Sequence, residues 1–179
     1  MKTANLIFVI YFIGTIISCS KSSVDSVTPN PNNQVLGSFD LIQDRIFKPS
    51  CATSGCHLSN TDASFLQHVL VLNTASASYA NLVGVAPKNA VAIANKLQRV
   101  SKYSFDASLL YHKLNWDNSH HPNANYGTAM PLGGKPLSVG QLEFVKKWIE
   151  AGAPEKGTVV DSKLLDDTTP HYDPNSTFS

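Results

Sequence analysis

Cys51-Ala52-Thr53-Ser54-Gly55-Cys56-His57 is the stretch from which the rest of the chain can be read. Two thiols followed at once by an imidazole is the chemistry of covalent haem attachment. Each thiol can add across one vinyl group to form a thioether. The His after the second Cys then lies under the iron as its proximal ligand. The usual gap between the thiols is two residues; here it is four. A wider loop still reaches both vinyl groups. The same pair admits a plainer reading, a local disulfide, in a compartment that oxidises thiols.

Working outward, residues 38–47 predict an amphipathic helix. Phe39, Ile42, Ile46 and Phe47 fall on one face at three-and-four spacing. Ser38 is the expected N-cap, and Pro49 is expected to stop the helix just before the thiol loop. A second strong helix begins at Leu137-Ser138-Val139-Gly140-Gln141, where Ser138 and Gln141 make a capping box. Its apolar stripe is Leu142, Val145, Trp148 and Ile149, and Gly152 with Pro154 ends it. The two stripes are expected to pack together. Weaker helices are read at 78–83 and at 106–114, the latter capped by Asp106. Residues 69–72 are read as a short strand or extended piece, and 115–126 as a polar surface loop. The fold class is therefore mostly α, one small helical domain with long loops over 36–154.

A low-spin electron-transfer haem needs a second axial ligand. With Met1 in the leader, Met130 is the remaining thioether. It stands in Thr128-Ala129-Met130-Pro131-Leu132-Gly133-Gly134, where Pro131 favours an extended Met130 and the two glycines allow a tight reversal. The alternatives are that Met130 fills a gap in the core or that His112, on the 106–114 helix, is the distal ligand. His120 and His121 are an adjacent pair in the polar loop; His68 and His171 have no evident partner in the sequence.

Residues 1–18 read as a leader: Lys2, then an apolar run too short to span a bilayer comfortably. Ile16-Ile17-Ser18-Cys19 resembles the bacterial lipoprotein box, which implies cleavage before Cys19 and lipid on its thiol. Residues 19–35, rich in Ser, Asn and Pro, read as a flexible tether. With Cys19 lipidated, Cys51 and Cys56 are left as a pair. A zinc site lacks two further ligands beside them. The chain has 14 Lys and Arg; removing Lys2 leaves 13 against 13 Asp and Glu. No basic run points to nucleic acid. Residues 155–179 form a polar C-terminal tail without an assigned role; whether it lies on the domain is open.

Together these features resemble the single-haem c-type cytochrome domains of bacterial envelope proteins, in a subgroup with wide thiol spacing. The segments that carry the likeness are 46–57, Ser108-Leu109-Leu110-Tyr111-His112-Lys113-Leu114, Met130-Pro131-Leu132-Gly133-Gly134 and Trp148-Ile149-Glu150-Ala151-Gly152-Ala153. The resemblance implies a cytochrome c-like fold and one covalent haem c on Cys51 and Cys56, with His57 proximal and Met130 distal. It implies electron transfer rather than catalysis, with redox partner proteins of the envelope and a lipid anchor in the membrane. Ser20-Lys21-Ser22-Ser23 lacks an acidic pair after the Cys, which favours the periplasmic side over the cell surface. The alternative is a haem-free lipoprotein, a subunit of an envelope complex, with a Cys51–Cys56 disulfide. A haem peroxidase is less consistent with a chain that has no spare Cys for a second attachment motif.

Overall fold

In a computed structural model, residues 35–117 and 125–172 are described; Cys19, the leader, the tether, His120 and His121 lie outside them. The first apolar stripe forms a continuous helical run. It consists of α1 (Ser38–Ile42), a π-helical turn (Gln43–Phe47) and α2 (Lys48–Ser50). Phe39, Ile42, Ile46 and Phe47 are all buried, as their spacing requires.

Two details of this run differ from the expectation. The cap is Gly37, whose N–H donates to the Asp40 carboxylate at 3.2 Å. Ser38 is already inside the helix. Its buried hydroxyl accepts from the N–H groups of Val159 (2.9 Å) and Val160 (3.1 Å), because a later part of the chain returns across the helix start. Pro49 does not stop the helix before itself either. The Lys48 N–H reaches back to the Gln43 carbonyl, a five-residue span that widens the turn. Pro49 then falls in the first turn of α2, where its missing N–H is not needed.

The chain continues through α3 (Phe65–His68), α4 (Ala75–Leu82), α5 (Ala90–Ala94), α6 (Leu109–Leu114), α7 (Val139–Glu150) and a 3-10 turn (Ser162–Asp166). α4 starts earlier than residue 78 because Thr74 caps it, accepting from Ala77 N–H at 3.2 Å. α6 starts after Ser108 rather than at Asp106. Residues 69–72 do not form a strand: Val69 sits in the left-handed region at φ 49. Among the described residues β pairing is limited to isolated bridges. The domain is mostly helical, with long connections.

α7 is the central element. Ser138 accepts from Gln141 N–H at 3.1 Å, and Gln141 accepts from Ser138 N–H at 3.0 Å, completing the capping box. Leu142, Val145, Trp148 and Ile149 are buried, and Phe144 joins them. Trp148 stacks on Phe39 with ring centroids 5.0 Å apart, so the two stripes pack as expected. Burying each such side chain contributes roughly 1.5–3 kcal/mol. Gly152 ends the helix at φ +94; a Cβ there would lie 2.6 Å from the Tyr103 ring.

Beyond Pro154 the chain stays on the domain. Val160 and Leu165 belong to the same core as Phe39 and Trp148. Gly140 of α7 lets this segment pass: a Cβ on it would collide with the Leu164 carbonyl oxygen. The Asp167 carboxylate accepts from Gly140 N–H at 2.8 Å, and Thr169 carbonyl accepts from Val139 N–H at 2.8 Å. These two acceptors serve N–H groups that the first turn of a helix cannot pair internally.

Candidate functional site

The thiol loop leaves α2 through a shared acceptor. The Phe47 carbonyl takes the N–H groups of both Cys51 (2.8 Å) and Ala52 (2.7 Å). His57 N–H returns to the Cys51 carbonyl at 3.1 Å, so the loop closes on its own first residue. Gly55 supports the tight path at φ +81. The Asp62 carboxylate accepts from the N–H groups of Gly55 (2.9 Å) and Ser59 (2.7 Å). Those bonds favour its charged form and hold its pKa below the ordinary value. The Ser64 hydroxyl donates to the Cys56 carbonyl. Leu72 N–H donates to the His57 carbonyl at 2.8 Å.

Both thiols are free. Cys51 is buried in the core, and burial, with Cys56 adding to it, pushes its pKa up to about 12. It is a neutral thiol at physiological pH. Cys56 is half-exposed.

His57 carries the informative geometry. Its Nδ1 lies 3.2 Å from the Leu70 carbonyl oxygen. A carbonyl can only accept, so the proton of the bond is on Nδ1. Burial lowers the pKa of the ring, which favours its neutral form. A neutral imidazole protonated on Nδ1 has a lone pair on Nε2, the form in which His binds metals.

The turn just before Leu70 is held by a residue that sequence reading missed. Arg99 is buried and donates to the carbonyls of His68 (2.6 Å), Val69 (3.2 Å) and Asn81 (2.8 Å). Its guanidinium clamps the turn that presents Leu70 to His57. The only signal was a charged residue between the apolar Leu97 and Val100. His68 was likewise without a partner in the sequence; its ring centroid lies 6.0 Å from that of His57.

Met130 is half-buried and packs against the core cluster that contains Cys51. Its backbone is held on both sides. Its N–H donates to the Lys113 carbonyl at 2.7 Å, and its carbonyl accepts the Trp116 indole N–H at 2.7 Å. The Met130–Pro131 peptide is cis, and Gly133 reverses the chain at φ +67. Lys113 also donates its ammonium to the carbonyls of Tyr126 (3.2 Å) and Thr128.

His112, the alternative ligand, is buried. Its Nε2 lies 2.8 Å from the Asp106 carbonyl, so that nitrogen carries a proton and donates inward. Tyr126, expected on the surface, is buried beside the His112 ring at 5.0 Å between centroids. His171 bridges two segments, as detailed below.

The donor set fits a covalently held haem: two free thiols, an imidazole with Nε2 unprotonated, and a thioether on a separate braced loop. Among the described residues no group of three or more His, Cys, Asp or Glu is gathered for a metal ion, and no helix is long and apolar enough to cross a membrane. A recess of about 490 Å³ between α7 and the 3-10 turn contains none of the candidate ligands. No protein-family description, no curated protein and no solved structure matches this chain.

Proposed function

We propose that this protein is a single-haem c-type cytochrome of the bacterial envelope, anchored by lipid on Cys19, that transfers electrons and catalyses no reaction of its own. In this reading Cys51 and Cys56 hold haem c, His57 is the proximal ligand and Met130 the distal one. The bond from His57 Nδ1 to the Leu70 carbonyl is the observation that supports it most. It selects the tautomer a haem iron requires and sets the plane of the ring. Iron in the bound haem supplies the one-electron couple, and a Met ligand together with burial raises its potential.

The chain's own residues have defined tasks in this reading. Each thiol forms one S–C bond, its hydrogen passing to the neighbouring vinyl carbon, so attachment needs no oxidant. The neutral state of Cys51 also slows its own attack on a disulfide, since the thiolate is the nucleophile. Exchange with a partner needs an exposed haem edge and a weak docking surface. The near-zero charge of the mature chain, 13 basic against 13 acidic side chains after loss of Lys2, argues against long-range steering. The lipid confines encounters to the membrane surface and to partners held there.

The test is expression of the full chain in a host with a c-type maturation system. The expected result is a membrane-bound product with a Soret band, a positive haem stain after denaturation, and the mass increment of one haem. A membrane-bound product with no Soret band, and a mass two hydrogens below the reduced chain, would replace this reading with the haem-free disulfide lipoprotein. Cys19→Ala is expected to release the protein from the membrane fraction in either case.

A further inference from the structure

We propose that the segment 158–172 is a strap that positions Met130, acting through His171 and Trp116. This inference rests on the reading of Met130 as the distal ligand. The strap is bound to α7 along its course. Gly140 admits the Leu164 carbonyl, Asp167 accepts from Gly140 N–H, and Thr169 accepts from Val139 N–H. It ends at His171, whose backbone N–H donates to the Leu137 carbonyl at 3.0 Å.

The His171 ring then joins two parts of the chain. Nδ1 lies 2.8 Å from the Leu137 carbonyl, so it carries the proton. Nε2 accepts the backbone N–H of Trp116 at 3.1 Å. One neutral tautomer satisfies both bonds. Trp116, so fixed, donates its indole N–H to the Met130 carbonyl at 2.7 Å, while Lys113 takes the Met130 N–H at 2.7 Å. Lys113 lies in the last turn of α6 and Trp116 follows three residues later. The Met130 peptide is therefore a rung between two points of one segment, and His171 secures the point that α6 does not. Met130 side-chain direction depends on this backbone, because an unbranched thioether has no rigidity of its own.

The arrangement makes His171 and Trp116 positioning residues, the first of them far in sequence from the loop it helps to hold. Trp116→Phe removes the indole N–H and keeps an aromatic ring. His171→Leu removes both ring bonds, and His171→Gln retains an acceptor for Trp116 N–H. In haem-loaded full-length protein, the near-infrared charge-transfer band of Met-ligated ferric haem is expected to weaken in Trp116→Phe and His171→Leu. His171→Gln is expected to retain more of the band than His171→Leu. In the haem-free chain, exchange of the Trp116 backbone N–H, which His171 Nε2 accepts, should quicken about tenfold in His171→Leu, the effect of losing roughly one hydrogen bond.

An undiminished band in both Trp116→Phe and His171→Leu would overturn the strap as a positioning device while leaving the haem assignment standing. A haem-loaded wild type without the band would overturn it as well. A wild type that takes up no haem would sink the functional reading. The strap would then be judged on exchange of the Trp116 backbone N–H, and unchanged exchange in His171→Leu would sink it too.

Discussion

The thiol loop and the Met130 loop border the same core but are held in different ways. The thiol loop is braced by Phe47, Asp62 and Ser64 close by in sequence, and by Leu70 and Leu72, which lie 13 and 15 residues beyond His57. Its more distant braces include Arg99, on the turn that leads to Leu70, and Gln43, which donates to the Leu72 carbonyl at 2.9 Å. The Met130 loop is held by Lys113 and Trp116, and Trp116 by His171, which lies 55 residues away in sequence. The direct partners of both loops thus lie a similar distance away in sequence; what differs is the remote brace, the buried Arg99 for the thiol half and His171 near the end of the strap for the Met130 half.

This contrast can be broken or sharpened by substitution. The largest effect is expected from Arg99→Met, which strips N–H donors from three backbone carbonyls and should destabilise by about 3 kcal/mol. Hydrogen exchange should quicken at Leu72 N–H more than at Met130 N–H. Equal loosening of both would show that the halves are not separable.

Gly140→Ala should act on the other half. Its Cβ would collide with the Leu164 carbonyl, a backbone atom that cannot rotate away, at a cost of about 2 kcal/mol. Val139 N–H should lose protection while Leu72 N–H keeps it. If denaturant unfolding showed Gly140→Ala as stable as wild type, the close passage of the strap would be wrong.

A pH experiment addresses the thiol half alone. The folded His57 ring has a lowered pKa, chiefly from burial, so it binds a proton less readily than the unfolded chain does at its ordinary value near 6.5. Stability of the haem-free chain is therefore fully present above that value and falls as pH drops through the folded pKa. His57→Asn, which keeps a donor for the Leu70 carbonyl and cannot titrate, should flatten the slope. An unaltered slope would place the titration elsewhere.

The smallest effect is expected from Arg45→Ala. Its guanidinium reaches the Leu165 carbonyl at 3.3 Å and the exposed Asp166 carboxylate at 3.5 Å. Solvent screens such a pair, so the loss should stay within about 0.5 kcal/mol. A larger loss would mean that the strap hangs on that surface pair rather than on Gly140 and Asp167.

Much of this was legible in one dimension. The stripes of the first and last helices, the Ser138–Gln141 capping box and the Gly152 stop are local patterns, and each is found where its spacing puts it. Other features misled for a physical reason. Ser38 has the chemistry of a cap, but a hydroxyl serves whichever N–H arrives, and here Val159 and Val160 arrive. Pro49 has the chemistry of a stop, but a widened turn removed the need for its donor. Tyr126 sits in a polar stretch yet is buried, because Ala92 and Leu97 come to meet it.

Residue order alone specified the candidate donors: two thiols, the imidazole behind them and one thioether in a Pro–Gly turn. Their chemistry and spacing are properties of short segments, set by covalent structure and local backbone preference. Which nitrogen of His57 holds the proton, which guanidinium clamps its partner and which tail residue braces Met130 were decided by folding. Those are contacts between separate segments, from 13 residues apart for His57 and Leu70 to 55 for Trp116 and His171, and no pattern within a segment encodes its partner in another.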